Sequence, residues 1–214
     1  MRAARSIAIA ALVAGCGGHA GARHAGGSAQ QGGGRAPLVV VGDSLAFGRF
    51  ADTRDDAFPQ RVAAATHAPL ALLAAPGVTS AQLAAQAVPS GGGVVVVEAG
   101  TNDFLFQTPR RRFADDYRAL LAKVTAESPG ARLVCLTTWV PNDLPPAKIP
   151  ASFYNATIRR ACSTGAVADI SRLPARSGMR GPAGRSTFLG PGDAFHPNST
   201  GHAAIARAIE SRLG

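Results

Sequence analysis

The chain has 214 residues, enough for one domain of ordinary size with a terminal extension and too few for two full domains. Its 22 Lys and Arg residues outnumber its 13 Asp and Glu residues, which gives a formal net charge of +9 at pH 7. The arginines are scattered, and no helix-turn-helix, zinc-finger or RNA-binding signature accompanies them, so a nucleic-acid partner is not expected.

Residues 1–15 have the pattern of a lipoprotein-type signal peptide. Arg2 and Arg5 precede the apolar run 7–14, which is too short to span a bilayer. The run leads into Val-Ala-Gly-Cys at 13–16, which resembles a bacterial lipoprotein signal and implies that Cys16 becomes the lipidated first residue. An ordinary secretory signal with an incidental cysteine is the alternative, and both interpretations predict export. Two or more acyl chains on Cys16 would anchor the protein stably to a membrane.

Residues 16–36 follow as a flexible tether between the lipidated cysteine and the folded domain. They are dominated by Gly, Ala, Ser and Gln and show no apolar periodicity. The folded domain is therefore expected at 37–214.

Strands and helices alternate along this domain. Short apolar runs predict buried strands, and segments with helical spacing or helix-capping residues lie between them. Such alternation indicates an α/β fold, a three-layer α/β/α sandwich around a five-stranded parallel sheet. The predicted strands are 38–41, 70–73, 94–97, 133–137 and 167–170; the predicted helices are 57–67, 79–87 (capped by Thr79 or Ser80), 111–127, 152–162 and 198–213.

Four short blocks carry residues with chemical potential. In parallel sheets the ligand site lies at the carboxyl ends of the strands, where three of these blocks begin. A serine, a glycine amide and an asparagine amide are thus brought to one edge of the sheet, and an Asp-x-x-His pair arrives from the end of the chain. The blocks are Gly-Asp-Ser-Leu at 42–45, Gly77, Gly-Thr-Asn-Asp at 100–103 and Asp-Ala-Phe-His at 193–196.

In this order the blocks resemble the SGNH hydrolase superfamily, also called the GDSL esterases and lipases, over roughly residues 37–213. The resemblance implies a flavodoxin-like strand order and Ser44 as nucleophile. It also implies that His196 is the general base and Asp193 its partner. The oxyanion hole would consist of the backbone amides of Ser44 and Gly77 and the side chain of Asn102. A small-molecule, lipid or glycan ester is then the expected substrate, with no cofactor or metal, and the protein is expected to be a monomer.

Three points stay open in the sequence. The same residues could serve a deacetylase or acyltransferase acting on cell-surface glycans, and a non-catalytic surface-binding module on the same fold is a further alternative. Export permits a disulfide between Cys135 and Cys162, whereas two buried free thiols are the other interpretation. The irregular segments 139–150 and 172–192 would border the catalytic edge, where loops carry specificity.

Overall fold

The computed structural model describes residues 35–214. The signal peptide expected at 1–15, the lipidated Cys16 and the tether up to residue 34 lie outside the described residues. The elements in chain order are β1 (Leu38–Gly42), α1 (Phe58–Thr66), β2 (Leu70–Ala74), α2 (Ser80–Ala84), β3 (Val94–Glu98), α3 (Thr101–Leu105), α4 (Arg110–Glu127), β4 (Arg132–Leu136), α5 (Ala151–Ala161), β5 (Ala166–Ala168), β6 (Ser186–Thr187), β7 (Gly190–Pro191) and α6 (Ser199–Glu210).

Strands β1 to β5 form one parallel sheet in the order β2-β1-β3-β4-β5. Leu38 at the start of β1 pairs with Leu70 on one side and Val94 on the other, so the three strands end level with one another. The predicted α/β class, parallel sheet and flavodoxin-like order are confirmed. The sequence elements that follow β1 and β3 are therefore delivered to neighbouring positions on one edge.

The two faces of the sheet carry separate apolar cores, because alternate side chains of a strand point to opposite sides. Val40 and Val96 face one layer, where α1 packs against α6. Val39 and Val97 face the other layer, which holds α2, α4 and α5. The valine-rich strands are thus covered on both faces, as continuous β-branched runs indicate.

A disulfide joins the sheet to the second layer. Cys135 in β4 and Cys162, directly after α5, are bonded with their Cα atoms 6.3 Å apart, and each residue is at most 1 % exposed. The sequence left open whether these cysteines form a disulfide or two free thiols, and the structure contains the disulfide.

The structure differs from the sequence-based elements in several places. Helix α6 covers Ser199–Glu210, not 198–213. Helix α2 ends at Ala84, not at 87, and β5 covers 166–168, not 167–170. Helix α3 was not predicted, since its five residues are too few to establish a period. The segment 172–192, expected to be irregular, contains the small hairpin of β6 and β7. Within residues 35–214 no helix has the length and apolar character needed to cross a membrane.

Candidate active site

Three side chains form a continuous hydrogen-bonded chain at the carboxyl edge of the sheet. Ser44 Oγ lies 2.9 Å from His196 Nε2, although the two residues are 152 positions apart. His196 Nδ1 lies 2.7 Å from Asp193 Oδ2. The structure therefore brings together the serine, histidine and aspartate that the sequence singled out, in the order expected of a nucleophile, a base and an orienting acid.

Ser44 is held in a tight turn directly after β1. The backbone N–H of Phe47 donates to the Asp43 carbonyl at 2.9 Å, and the N–H of Leu45 donates to Asp43 Oδ1 at 3.0 Å. Behind the turn, Glu98 Oε2 accepts the N–H of Asp43 at 3.0 Å. These bonds fix the backbone on both sides of Ser44, whose side chain reaches His196 from the end of the strand.

The Asp193–His196 loop orients its own histidine. Asp193 Oδ1 accepts the backbone N–H groups of Phe195 at 2.9 Å and His196 at 2.8 Å, which leaves Oδ2 free to accept Nδ1–H. Because Nδ1 carries the proton, Nε2 presents a lone pair to Ser44. The indole Nε1–H of Trp139 donates to the Phe195 carbonyl at 2.8 Å and ties this loop to the segment after β4.

The surroundings of Asp193 and His196 favour an ionised aspartate beside a neutral histidine, because they lower the pKa of both groups. Burial lowers the pKa of His196, and the neighbouring Asp193 only partly offsets that effect. Burial alone would raise the pKa of Asp193, but the hydrogen bonds from His196 and Phe195 outweigh it and hold the pKa below its usual range. A neutral imidazole near neutral pH is the form that can remove a proton from Ser44.

Ser44 has a second neighbour that does not compete for its proton. Its Oγ lies 3.3 Å from Asp43 Oδ1, which is longer than a good O–H···O bond, whereas His196 Nε2 is closer at 2.9 Å. The hydroxyl proton therefore lies on the path to His196, and Asp43 acts through the backbone turn.

Asn102, the expected oxyanion donor, lies in the site with both amide protons in use. Its Nδ2 donates to Asp43 Oδ2 and to the Val78 carbonyl, each at 3.0 Å. Both partners are acceptors, so the amide nitrogen has to face them. Gly77 is exposed, adjoins Val78 and has a φ of +79°, a conformation that favours glycine. The structure thus places the loop after β2 against Asn102.

The sequence-based reasoning missed several residues around the site. Glu98 ends an otherwise apolar strand, and that single carboxylate after four valines was the available signal. The ring of Phe50 stands edge-on to His196 with centroids 5.2 Å apart, and nothing in its local sequence marks it. Buried His202 donates Nε2–H to the Arg49 carbonyl at 2.8 Å and so holds the segment that carries Phe50.

An apolar groove of about 420 Å³ lies beside the helix that carries Asn102. Leu105, which lines the groove, is 41 % exposed, and the adjacent Phe106 is 64 % exposed, so two neighbouring apolar side chains lie at the surface here. Gln107 holds the opposite wall, because its side chain bonds to both the N–H and the carbonyl of Ile149. The groove is lined by Phe104, Leu105, Gln107 and residues 144–148.

Among residues 35–214 no group of three or more His, Cys, Asp and Glu side chains is arranged to hold a metal ion. A larger cavity of about 550 Å³ lies between α1 and α6. Its lining includes Gln60, Arg61 and Arg207, but it contains neither Ser44 nor the Asp193–His196 pair. Its polar, charged walls carry no nucleophile next to a base. Within residues 35–214 the hydrogen-bonded chain of Ser44, His196 and Asp193 is therefore the candidate active site.

Solved structures with similar folds include several acyl-processing enzymes. A phospholipase A1 from Streptomyces albidoflavus matches with a TM-score of 0.61 and 18% identity, over 83% of this chain and 99% of that one. An esterase from Pseudoalteromonas sp., inhibited by monoethylphosphonate, matches with a TM-score of 0.60 and 16% identity, over 84% and 97%. At these identities the likeness establishes the fold alone.

A carbohydrate esterase family 2 enzyme with a carbohydrate-binding domain, from Corynascus thermopiles (Myceliophthora fergusii), matches with a TM-score of 0.63 and 16% identity. The match covers 83% of this chain, which spans 65% of that enzyme. No curated protein matches the chain. The family model for GDSL-like lipases and acylhydrolases matches residues 40–204, which include all four blocks. The chain belongs to the GDSL-like lipase/acylhydrolase family, within the SGNH superfamily.

Proposed function

We propose that this protein is an exported serine esterase that hydrolyses carboxylic esters through an acyl-enzyme on Ser44. The observation that carries the proposal is the unbroken chain from Asp193 through His196 to Ser44, with contacts of 2.7 Å and 2.9 Å. A non-catalytic binding module has no need for a nucleophile aligned with a neutral, oriented base.

The geometry supports a two-step reaction. Ser44 Oγ bonds to the ester carbonyl carbon while its proton passes to His196 Nε2, and the tetrahedral intermediate then expels the alcohol, which takes that proton. A water molecule attacks the acyl-enzyme, gives its proton to Nε2, and the acid leaves as Ser44 recovers its hydroxyl. Asp193 keeps Nδ1 protonated throughout and stabilises the imidazolium in both steps.

Asn102, Gly77 and the Ser44 amide would stabilise the oxyanion of the tetrahedral intermediate. Both Asn102 amide protons are engaged in the free protein, so one bond has to yield as negative charge develops. Bonds to charged acceptors are the stronger ones, so the neutral Val78 carbonyl yields before the Asp43 carboxylate does. This exchange makes the Asn102 contribution specific to the transition state.

The decisive experiment replaces the nucleophile. Ser44→Ala should abolish turnover of p-nitrophenyl esters and covalent labelling by a fluorophosphonate, because among residues 35–214 no other hydroxyl is hydrogen-bonded to His196 Nε2. The exposed Ser163, replaced by Ala in the same way, is the matched control and should leave both unchanged. Full turnover in folded Ser44→Ala would overturn the assignment.

The apolar groove favours an ester with a hydrocarbon acyl chain. The groove adjoins the helix that carries Asn102, and Leu105 in its lining is exposed to solvent, which suits an apolar ligand. Leu105→Ser should lower kcat/KM more for longer p-nitrophenyl acyl esters than for the acetate. Leu72→Ser is the control, because Leu72 is similarly exposed, at 36 %, but lies on strand β2. Equal losses for all chain lengths would contradict the proposal.

Deacetylation of a glycan, or acyl transfer, is the second candidate. The similar fold of the carbohydrate esterase family 2 enzyme supports the first, and a salicylyl-acyltransferase of similar fold (TM-score 0.61, 16% identity) supports the second. Both would use the same Ser44, His196 and Asp193. Assays with p-nitrophenyl esters and with acetylated sugars, each with and without an added alcohol as acyl acceptor, distinguish the esterase, the deacetylase and the acyltransferase. Activity on acetylated sugars alone would favour the deacetylase.

Export and membrane anchoring form a separate part of the proposal. The signal-like residues 1–15 and Cys16 support it, and so does the Cys135–Cys162 bond, because disulfides persist in oxidising compartments. Mass spectrometry of the native protein should find Cys16 as an acylated N-terminus, and Cys16→Ser should release the protein from membranes. A mature protein with an unmodified Cys16 inside its chain would refute the anchor.

A further inference from the structure

Two buried carboxyl groups lie side by side behind the nucleophile. Asp43 and Glu98 are each 1 % exposed, and they meet because Gly42 pairs with Glu98 where β1 and β3 end. Glu98 Oε2 also accepts the backbone N–H of Asp43 at 3.0 Å, so the two carboxyl groups belong to neighbouring, directly hydrogen-bonded residues. Among the described residues no Lys, Arg or His forms an ion pair with either carboxyl. Two adjacent carboxylates in such a place cannot both be ionised at low cost.

The backbone is built to admit Glu98 at this point. A Cβ atom on Gly42 would lie 2.8 Å from Glu98 Oε2 and 2.6 Å from the Ala46 Cβ, so only glycine leaves room for the carboxyl group. In the space thus provided, Oε2 accepts the N–H of Asp43 at 3.0 Å and that of Ala46 at 3.4 Å. Glu98 therefore spans the turn that carries Ser44.

The hydrogen bonds assign different roles to the two carboxyls. Asp43 uses Oδ1 to accept from Leu45 N–H and Oδ2 to accept from Asn102, so both of its oxygens act as acceptors. Burial raises the pKa of Asp43 to about 6. Burial, and secondarily the Asp43 charge, raises the pKa of Glu98 well above its usual range. One proton on Glu98 and none on Asp43 satisfies every one of these contacts.

We propose that Glu98 is a positioning residue for the reaction on Ser44: its protonated carboxyl donates to the Asp43 carboxylate, and its Oε2 holds the 43–46 turn. Asp43, fixed in this way, orients the Asn102 amide. The proton also limits the pair to one negative charge, which matters because a second charge here would oppose the oxyanion that forms nearby. The inference rests on the proposed esterase function.

The charged and titratable groups around the pair come from three other elements. Asp103 on α3 and Tyr117 on α4 interact electrostatically with the pair, and His196 faces it across Ser44. Protonation of Asp43 as the pH falls through about 6 would leave a neutral carboxyl group and weaken its bond to the Asn102 amide. Loss of the Glu98 proton at high pH would add the second negative charge. The proposed pair, with Asp43 ionised and Glu98 protonated, therefore exists at pH values between these two titrations.

Two variants separate a neutral Glu98 from an ionised one. Glu98→Gln is neutral, has nearly the same shape, and can donate to Asp43 while it accepts from the turn, so kcat and KM should be retained. Glu98→Leu fills the space without hydrogen bonds, so kcat should fall about 10²-fold, the loss typical of a misplaced oxyanion donor, with KM little changed. A merely structural role would not give rescue by Gln together with a loss confined to kcat.

A spectroscopic measurement tests the proton without reference to activity. The infrared difference spectrum between the wild-type protein and Glu98→Gln at neutral pH should show the C=O stretch of a protonated carboxylic acid in the wild type only. Its absence would overturn the proposal, as would equal impairment of the Gln and Leu variants or an unimpaired, folded Leu variant. If Glu98→Leu fails to fold, the Gln kinetics and the spectrum decide. A wild-type protein without ester turnover would refute the proposed function and leave the infrared result to decide the protonation of Glu98.

Discussion

Buried His202 should make the stability of the fold depend on pH in a way that one substitution removes. The ring lies in α6, is 0 % exposed, donates Nε2–H to the Arg49 carbonyl and stacks on Phe58. Burial lowers its pKa to about 4, against 6.5 for an unperturbed histidine. Below pH 6.5 the unfolded chain therefore binds a proton that the folded protein does not bind.

The magnitude follows from the pKa difference. Stability from the neutral ring is complete above pH 6.5 and is lost as the pH falls toward 4. At about 1.4 kcal/mol per pKa unit, the loss of unfolding free energy reaches about 2 kcal/mol at pH 5 and about 3 kcal/mol near pH 4. Asp43 acts in the opposite direction, because its raised pKa of about 6 lets the folded state bind a proton before the unfolded chain does.

Urea unfolding of wild type and His202→Gln isolates the effect of this histidine. Glutamine can keep the bond to the Arg49 carbonyl but does not titrate, and contributions such as that of Asp43 are common to both proteins. The difference in unfolding free energy between the two should therefore shrink by about 3 kcal/mol from pH 7 to pH 4. His67→Asn, which removes an exposed histidine, is the control and should follow the wild-type curve. A difference that stays constant over this range would refute the buried neutral ring.

Three further outcomes concern the site and the disulfide. Asn102→Ala should lower kcat by about 10²–10³ with little change in KM in steady-state ester hydrolysis, and a change mainly in KM would contradict its role in the transition state. Activity should fall as the pH drops through the lowered pKa of His196. Asp193 raises that pKa, so Asp193→Asn should be less active, and the fall of its activity on the acid side should move to lower pH. An unchanged acid side of the pH–activity profile would contradict the pairing. Thiol labelling of the denatured, unreduced protein should find no free Cys135 or Cys162. Replacing both with Ala should cost about 3–4 kcal/mol of unfolding free energy for a loop of 27 residues, measured in urea, and an unchanged midpoint would contradict a stabilising bond.

Much of the fold was predictable because its strands are unambiguous. Four consecutive valines in β3 and the similar run in β1 identify buried parallel strands without help from distant contacts. The short helix α3 and the hairpin of β6 and β7 were not predictable, because two to five residues carry no measurable period. Helix α3, for example, is held by tertiary contacts such as the bond of Ser80 Oγ to Asp103 Oδ2 at 2.8 Å.

The sequence singled out the serine, histidine and aspartate that the structure brings together, but it did not single out the residues that hold them in place. Ser44 and His196 lie in compact blocks whose spacing has a chemical reason. Glu98, Phe50 and His202 act through packing and through partners more than 50 positions away, so their local sequence carries no comparable pattern. The two hydrogen bonds that the Asn102 amide donates, to Asp43 and to the Val78 carbonyl, are likewise visible only in the structure.

Ser44, the proposed nucleophile, and His196, its proposed base, lie in parts of the molecule that differ in their resistance to local unfolding. Ser44 lies just after the central strand β1. His196 lies in the segment after β5, which has little regular structure and is attached to the rest of the protein through contacts such as the Trp139 bond to the Phe195 carbonyl and the Arg185–Asp52 ion pair. Such segments open at a lower free energy than core strands do. Rising urea should therefore separate the catalytic pair before it unfolds the sheet, so activity declines while the circular dichroism of the fold is still intact.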